Sequence, residues 1–515
     1  MSKLGRHYLA MCPVGDQHVV GIVLSILGLM ATLAVLGIGI GEASEALESI
    51  QINWMFFLLG WGAAWGCYES LKEPRRESWA TWFELICILL AFVGDILLVP
   101  YYFLSNGEVP ELRYVNTATN ERLIRMCPSL KSFKQTCWLQ NPFFSFWVMV
   151  VRERFWRDRY QREYLIAQDG GRIALDWYTH DDGLRPNLSD ETPILLLIST
   201  LVGGPMSYPN GKTLHQFAET GRYRSVCYVK RGCGIQRPNP YVTSKFWCLS
   251  DYEDLTMAVD HIHERYPHAP IVAVGVSTGG GQLRNYLART GKFSKIRAGI
   301  VVDAGYNWNA CVESMDKRLP IMSHAMAQFI GNSMVEFSQL HPKEAARFDL
   351  TPKKLRSIST MHDMILHCMA PTNGFPGKPL EYMHYSHPAD PGPLDRPLLQ
   401  FFTMNDMIIC QDDIRSGENY PIANPNIINV TTKRGTHVIR WEGFTASKCW
   451  ISQVALEFCD AILGETPNGK TDSFPVARIE EEVKRQQKMG VTECHGYGSS
   501  EDDSDKENRS TKTVK

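Results

Sequence analysis

A serine between two glycines, at the end of an apolar run, is the first place in this chain where chemistry could happen. Ile271-Val272-Ala273-Val274 leads straight into Gly275-Val276-Ser277-Thr278-Gly279, and a helical pattern follows over residues 282–289. Strand, sharp turn and helix in that order lift a serine hydroxyl above a sheet edge. Such a turn needs small residues two before and two after the serine, because its backbone is strained and helix and strand approach closely. Gly275 and Gly279 fill both positions. The start of the helix offers backbone N–H groups to an anion. The arrangement therefore suits attack of Ser277 on a carbonyl and stabilisation of the oxyanion that forms. A glycine-rich turn around an ordinary serine is the competing reading, and the serine's partners decide between the two.

A nucleophilic serine needs a base, an acid that orients the base, and an oxyanion hole. For a serine on such an elbow the partners follow in the order acid, then histidine. Residues 398–402 read as an apolar strand ended by Thr403-Met404-Asn405-Asp406, which makes Asp406 the acid. Asp412 and Asp413 lie further on and read as solvated or capping residues. The chain has 15 histidines, so a histidine alone means little. His437 stands apart because it lies downstream of Asp406, in a Gly435-Thr436-His437 loop after a strand at 426–432. One oxyanion donor is the N–H of Thr278, directly after the serine. The other falls after the apolar strand 194–198, where Ser199-Thr200-Leu201-Val202-Gly203-Gly204 makes Leu201 the donor. The glycine pair permits the close backbone approach that such a hole requires.

The elements that must hold these residues alternate from residue 166 onward. Asp169-Gly170-Gly171 is a hairpin-type turn before a strand at 172–177. Further strands are expected at 194–198, 225–229, 296–302, 398–402 and 427–430, with helices at 212–219 and 450–463. Ser250 and Glu253 form a capping box for a helix running to residue 264. This alternation predicts an α/β fold, a mostly parallel sheet with helices on both faces. Over 305–395 it stops. That stretch is rich in Met, His and Phe, with helical segments around 325–337 and 352–369. It reads as a cap over the carboxyl end of the sheet, where ligands bind in such folds. Its methionines suit an adaptable apolar surface or ordinary core packing.

Composition narrows the function classes. A net charge of −2 and a pI near 6.7 argue against a nucleic-acid partner. Fourteen cysteines show no CxxC pair and no zinc spacing, so they read as buried or membrane thiols. No metal and no cofactor is expected.

The amino-terminal part is different. Residues 19–41 carry no charge and are long enough to cross a bilayer. A second uncharged run, 52–68, sits at the short limit and carries Trp54, Trp61 and Trp65. A third, 79–103, contains Glu84 and Asp95, which either face another helix or keep the segment on the surface. Lys3 and Arg6 before the first run, and Lys72, Arg75 and Arg76 after the second, put those flanks in the cytoplasm. Three spans place the catalytic domain in a lumen, and two leave it cytoplasmic. The three-span reading is favoured, in the endoplasmic reticulum or another endomembrane. Two sequons, Asn187-Leu188-Ser189 and Asn429-Val430-Thr431, accord with it. The expected organisation is a membrane region of two or three spans at 1–104 and an aromatic, basic connector at 105–165. An α/β core follows at 166–304 and 396–465, with a cap at 305–395 and a charged, disordered tail at 466–515.

The motifs resemble a family, the membrane-anchored α/β-hydrolase-domain lipases with their bacterial and yeast relatives that make medium-chain ethyl esters. The resemblance covers residues 110–465. It rests on Leu201-Val202-Gly203-Gly204, Arg231-Gly232-Cys233-Gly234, Tyr266-Pro267, Ser277-Thr278-Gly279-Gly280 and Asn285-Tyr286-Leu287. Gly374-Phe375, Tyr382, Ser386, Asp406 and His437 complete it. The resemblance implies the α/β-hydrolase fold and hydrolysis of lipid or short-chain esters, or acyl transfer to an alcohol, by Ser277, Asp406 and His437. Two departures stand out. The family has His-Gly before the oxyanion leucine, where this chain has Ser199-Thr200, and Gly-Gly-His at the base, where it has Gly435-Thr436-His437. The altered oxyanion loop is the one feature that favours a non-catalytic ligand-binding protein of the same fold.

Overall fold

Ile194-Leu195-Leu196-Leu197-Ile198 and Ile271-Val272-Ala273-Val274-Gly275-Val276 are buried at every position, as strands covered on both faces must be. The computed structural model describes residues 107–464, except 137–138, 140–141, 154, 157, 181–185, 235–241, 247–251, 387–393 and 418–423. Among the described residues one nine-stranded sheet forms. Its strands are β1 (Glu111–Tyr114), β2 (Arg159–Ile166), β3 (Arg172–Thr179), β4 (Ile194–Ile198), β5 (Arg224–Val229), β6 (Ile271–Val276), β7 (Ile296–Val302), β8 (Leu398–Thr403) and β9 (Ile427–Thr432). Their spatial order is β1-β9-β8-β7-β6-β4-β5-β3-β2. From β5 through β4, β6, β7 and β8 to β9 all neighbours are parallel. β3 is antiparallel to both β2 and β5, and β1 lies antiparallel against β9 at the other edge.

That order fixes where chemistry can sit. The chain passes from β4 to β5 on one side, then crosses to β6 on the other. Such a reversal leaves a crevice outside the carboxyl ends of the two strands beside it. The loop after β4 begins at Ser199, and Ser277 directly follows β6, so the two flank one crevice.

Helices cover both faces. Alternate strand residues point to opposite sides. Ile194, Leu196 and Ile198 pack with Leu255 and Val259 of the helix Tyr252–Arg265 and with Leu283 of the helix Thr278–Thr290. On the other face the helices Tyr208–Glu219 and Trp450–Leu463 pack on each other, joined by a 2.8 Å bond between the Thr213 and Ser452 hydroxyls. The cap is helical, with its longest segments at Trp308–Arg318 and Pro320–Leu340. A separate small unit includes residues 134–139 and 441–448, where Gln135 bridges Glu442 and Thr136 donates to the Gly443 carbonyl at 2.7 Å.

The structure corrects several expectations. The segment 105–165 is not a connector: it supplies β1, β2 and the helices Ala118–Met126 and Pro142–Glu153. The basic residues at 159–166 hid β2 because that edge strand leaves alternate side chains in solvent. Asp413 is neither solvated nor a cap of its own helix; it is buried and accepts the Tyr306 N–H at 2.9 Å. Asn429 is fully buried on β9 and accepts from Gln400 at 2.9 Å, so the folded chain cannot carry a glycan there. Asn187 is exposed. The eight described cysteines are free thiols, six of them buried. The expected membrane segments and the charged tail lie outside the described residues; among the described ones no helix is long and apolar enough to cross a membrane.

Candidate active site

Ser277 stands at the tip of the turn between β6 and the helix Thr278–Thr290, with φ 54° and ψ −120°. Positive φ is strained for any residue with a Cβ, and strain of this kind persists only where the surroundings enforce it. Here the glycines make the turn possible. A Cβ on Gly275 would lie 2.5 Å from the Gly279 carbonyl oxygen, and one on Gly279 would lie 2.2 Å from that of Ile198. Glycine disfavours a helix by about 1 kcal/mol relative to alanine. Helix stability alone would not select Gly279, Gly280 and Gly281 in the first turn; close approach to β4 explains Gly279.

The three residues expected to act together do meet. His437 Nε2 lies 2.9 Å from Ser277 Oγ, and His437 Nδ1 lies 2.9 Å from Asp406 Oδ2. The second oxygen of Asp406 accepts the N–H groups of Ile408 at 2.7 Å and Ile409 at 2.9 Å. The carboxylate is therefore held at both ends and cannot swing away. Asp406 and His437 are buried, and Ser277 keeps partial access. Burial alone would push the His437 pKa down. The negative charge and hydrogen bond of Asp406 outweigh it, Asp303 adds to them, and the net shift is upward.

Sequence reasoning missed the pair that supports the histidine. Asp303, directly after β7, and Arg440 are both fully buried and form a two-bond ion pair at 2.6 and 2.8 Å. Asp303 Oδ2 also accepts the Val438 N–H at 2.7 Å, and Arg440 donates to the Thr436 carbonyl at 2.9 Å. The pair thus grips the residues on either side of His437. Val438 has φ 65°, an outlier for a β-branched residue, and Asp303 has φ 46°. One signal was available: a lone aspartate ending the apolar run Val301-Val302 and an arginine between Ile439 and Trp441. Ligand atoms of Asp303, Asp406 and His437 lie within 4.8 Å of one another, a spacing that a metal ion could use. Arg440 and Val438 already occupy Asp303, and Ser277 and Asp406 occupy the two His437 nitrogens, so each of these groups already has a hydrogen-bond partner.

Removing Arg440 should be costly. Breaking one partner out of a buried pair leaves an uncompensated charge and costs about 3–5 kcal/mol. Arg440→Met is therefore expected to lower the denaturation midpoint strongly, and a second change, Asp303→Leu, to recover part of the loss. A midpoint shift worth less than about 1 kcal/mol in the single variant would show that the pair does not hold this loop.

Leu201 and Thr278 line the same cavity as Ser277 and His437. None of the described loop, turn and cap backbone hydrogen bonds uses either amide N–H. The space above them encloses about 640 Å³ with its open mouth included. Trp308, Val312 and Met315, on one face of the helix Trp308–Arg318, line it together with Met326 and Met361. Three cap methionines, Met315, Met326 and Met361, line the site, while Met334, Met364 and Met369 are buried and do not line it.

No family profile matches the chain. Phospholipase ABHD3 of Bos taurus is 30% identical over 228 residues, which cover 42% of this chain and 53% of that protein. Abhydrolase domain-containing protein 2 of Drosophila melanogaster is 22% identical over 55% of this chain and 71% of its own length. Monoacylglycerol lipase of Saccharomyces cerevisiae is 21% identical over 59% and 67%. The chain spans about half the length of the curated phospholipases it matches. Among solved structures, alpha/beta hydrolase domain-containing protein 10 from mouse is 13% identical over 63% of this chain and 99% of its own, with a TM-score of 0.34. By sequence, this chain is similar over part of its length to proteins named as an α/β-hydrolase-domain phospholipase and a monoacylglycerol lipase.

Proposed function

We propose that this protein is a serine hydrolase that cleaves carboxylic esters of lipids through an acyl-enzyme. The observation that carries the proposal is the continuous relay Ser277–His437–Asp406, with both links at 2.9 Å. Ser277 attacks the ester carbonyl as His437 Nε2 takes its proton. The oxyanion is held by the N–H groups of Thr278 and Leu201. The tetrahedral species collapses, the proton passes to the leaving alcohol, and the acyl group stays on Ser277. Water, activated by the same histidine, releases the acid. An apolar, methionine-lined cavity over the serine supports an acyl chain as the group bound there. The names of the relatives, a phospholipase and a monoacylglycerol lipase, support the same substrate class. Transfer to an alcohol instead of water uses the same acyl-enzyme and is read directly by adding an alcohol to the assay. The intact relay counts against a non-catalytic protein. Labelling by a fluorophosphonate probe, lost in Ser277→Ala, tests the proposal; no labelling of the native protein at any residue would end it.

We further propose that residues 1–104 anchor the protein in an endomembrane with the catalytic domain in the lumen. The apolar runs and their flanking charges support this, as does the exposure of Asn187. In sealed microsomes the domain is expected to resist added protease and to carry sugar on Asn187. Complete digestion without detergent would place it in the cytoplasm.

A further inference from the structure

Four consecutive carbonyls after β4 are held by one short loop. Lys230 Nζ donates to the carbonyl oxygens of Ser199 and Thr200, the latter at 2.9 Å. Cys233 Sγ donates to that of Leu201 at 3.1 Å, and the Gly234 N–H donates to that of Val202 at 3.1 Å. All the donors come from Lys230-Arg231-Gly232-Cys233-Gly234, which directly follows β5. This loop is itself fixed. Buried Arg231 pairs with Asp254 at 2.5 and 2.8 Å and with Asp169 at 2.6 Å. Gly232 and Gly234 turn the chain at φ 63° and 60°.

We propose that Lys230 is a positioning residue for the oxyanion hole: by holding the Ser199 and Thr200 carbonyls, it aims the Leu201 N–H at the oxyanion formed on attack by Ser277. The inference rests on the serine-hydrolase reading above. In a trans peptide the C=O and N–H point in opposite directions. The Thr200 carbonyl faces Lys230, so the N–H of the same peptide, that of Leu201, faces away from it. Leu201 lines the cavity that holds Ser277. A cation on the carbonyl also polarises the peptide and strengthens its N–H as a donor.

Two further observations point the same way. Lys230 is fully buried, and burial pulls its ammonium down to about 8 from the ordinary lysine value. A buried charge is costly, and a methionine of similar length would fill the space without that cost. The family that the chain resembles has His-Gly before this leucine, where Ser199-Thr200 stand here. A backbone without that glycine has fewer conformations, and the lysine selects one of them.

The test uses the full-length protein at pH 7, with Lys230→Met, Cys233→Ala and Cys233→Ser beside the native chain. It reads kcat and KM on a p-nitrophenyl ester, and the inhibition constant of an alkyl trifluoromethyl ketone, which adds to a serine as a tetrahedral oxyanion. Loss of one oxyanion donor costs about 10²–10³ in kcat, so Lys230→Met is expected to lose about 10² with KM within about threefold of native. The ketone should weaken by the same factor as kcat/KM. Cys233→Ala should lose less in both readings, and Cys233→Ser should recover them. The proposal is overturned if Lys230→Met melts as the native protein does and keeps kcat within about threefold, or if kcat falls while ketone affinity holds. If Lys230→Met does not fold, Lys230→Gln, which is shorter, uncharged and able to hold only one of the two carbonyls, is read in its place, and native kcat and ketone affinity in that variant overturn the proposal. Failure of the hydrolase reading looks different: the native protein itself turns over no ester and takes no fluorophosphonate on Ser277, and both proposals fall.

Discussion

Ser277→Ala and His437→Ala are each expected to lower ester turnover by about 10⁵–10⁶-fold, with the double variant hardly worse than either alone. The reason is that the relay acts as a unit. Without the hydroxyl, His437 has nothing to deprotonate for covalent attack. Without the imidazole, the hydroxyl keeps its proton and the leaving alcohol receives none. What remains is binding and the oxyanion hole, which still give some acceleration over water. Neither change should unfold the chain, since Ser277 stands at the edge of the cavity and His437 is gripped through its neighbours by Asp303 and Arg440. Steady-state rates on a short-chain ester, with circular dichroism as a control, measure the effect. Near-native turnover in Ser277→Ala would mean that another residue is the nucleophile. Additive losses in the double variant would mean that serine and histidine do not share a step.

The parts that the sequence made legible are those with strong local chemistry. The elbow at Ser277 was readable because strand, glycine spacing and helix all lie within about twenty residues of one another. Asp406 and His437 were readable because each follows an apolar strand in the expected order. Contacts made through tertiary structure were not readable. Asp303 and Arg440 each stand out as a lone charge beside apolar residues, but nothing in the sequence pairs them across 137 positions. Lys230 looks like any charged residue after a strand until β5 is laid beside β4. β2 was missed because a half-exposed edge strand lacks the apolar run that marks β4 and β6. The outer limits of the cap were legible as a stop in the alternation. The six-residue helix Pro342–Arg347 was not, because periodicity needs more turns than it has.

Asp406→Asn is expected to fold, to lose about 10⁴-fold in rate, and to move the acid limb of the pH profile downward. Geometry gives the first effect. Asp406 Oδ1 accepts two backbone N–H groups, from Ile408 and Ile409. An asparagine must place its oxygen there, because its NH₂ cannot face two donors. The NH₂ then points at His437 Nδ1 and donates to it. That fixes the proton on Nε2, the nitrogen that faces Ser277 and should be free to accept its proton. Charge gives the second effect. The base works only when neutral, so kcat/KM rises as pH passes the His437 pKa. In the native protein burial lowers that pKa, but Asp406 more than offsets it, and the limb sits above the usual histidine value near 6.5. Without the Asp406 charge, burial dominates and the limb moves below that value; the Asp303 charge cannot replace it, being paired with Arg440. The pH dependence of kcat/KM, measured for both proteins on one ester, gives the answer. A rate within about tenfold of native, or an acid limb that does not move, would mean that Asp406 is not the residue that orients and charges His437.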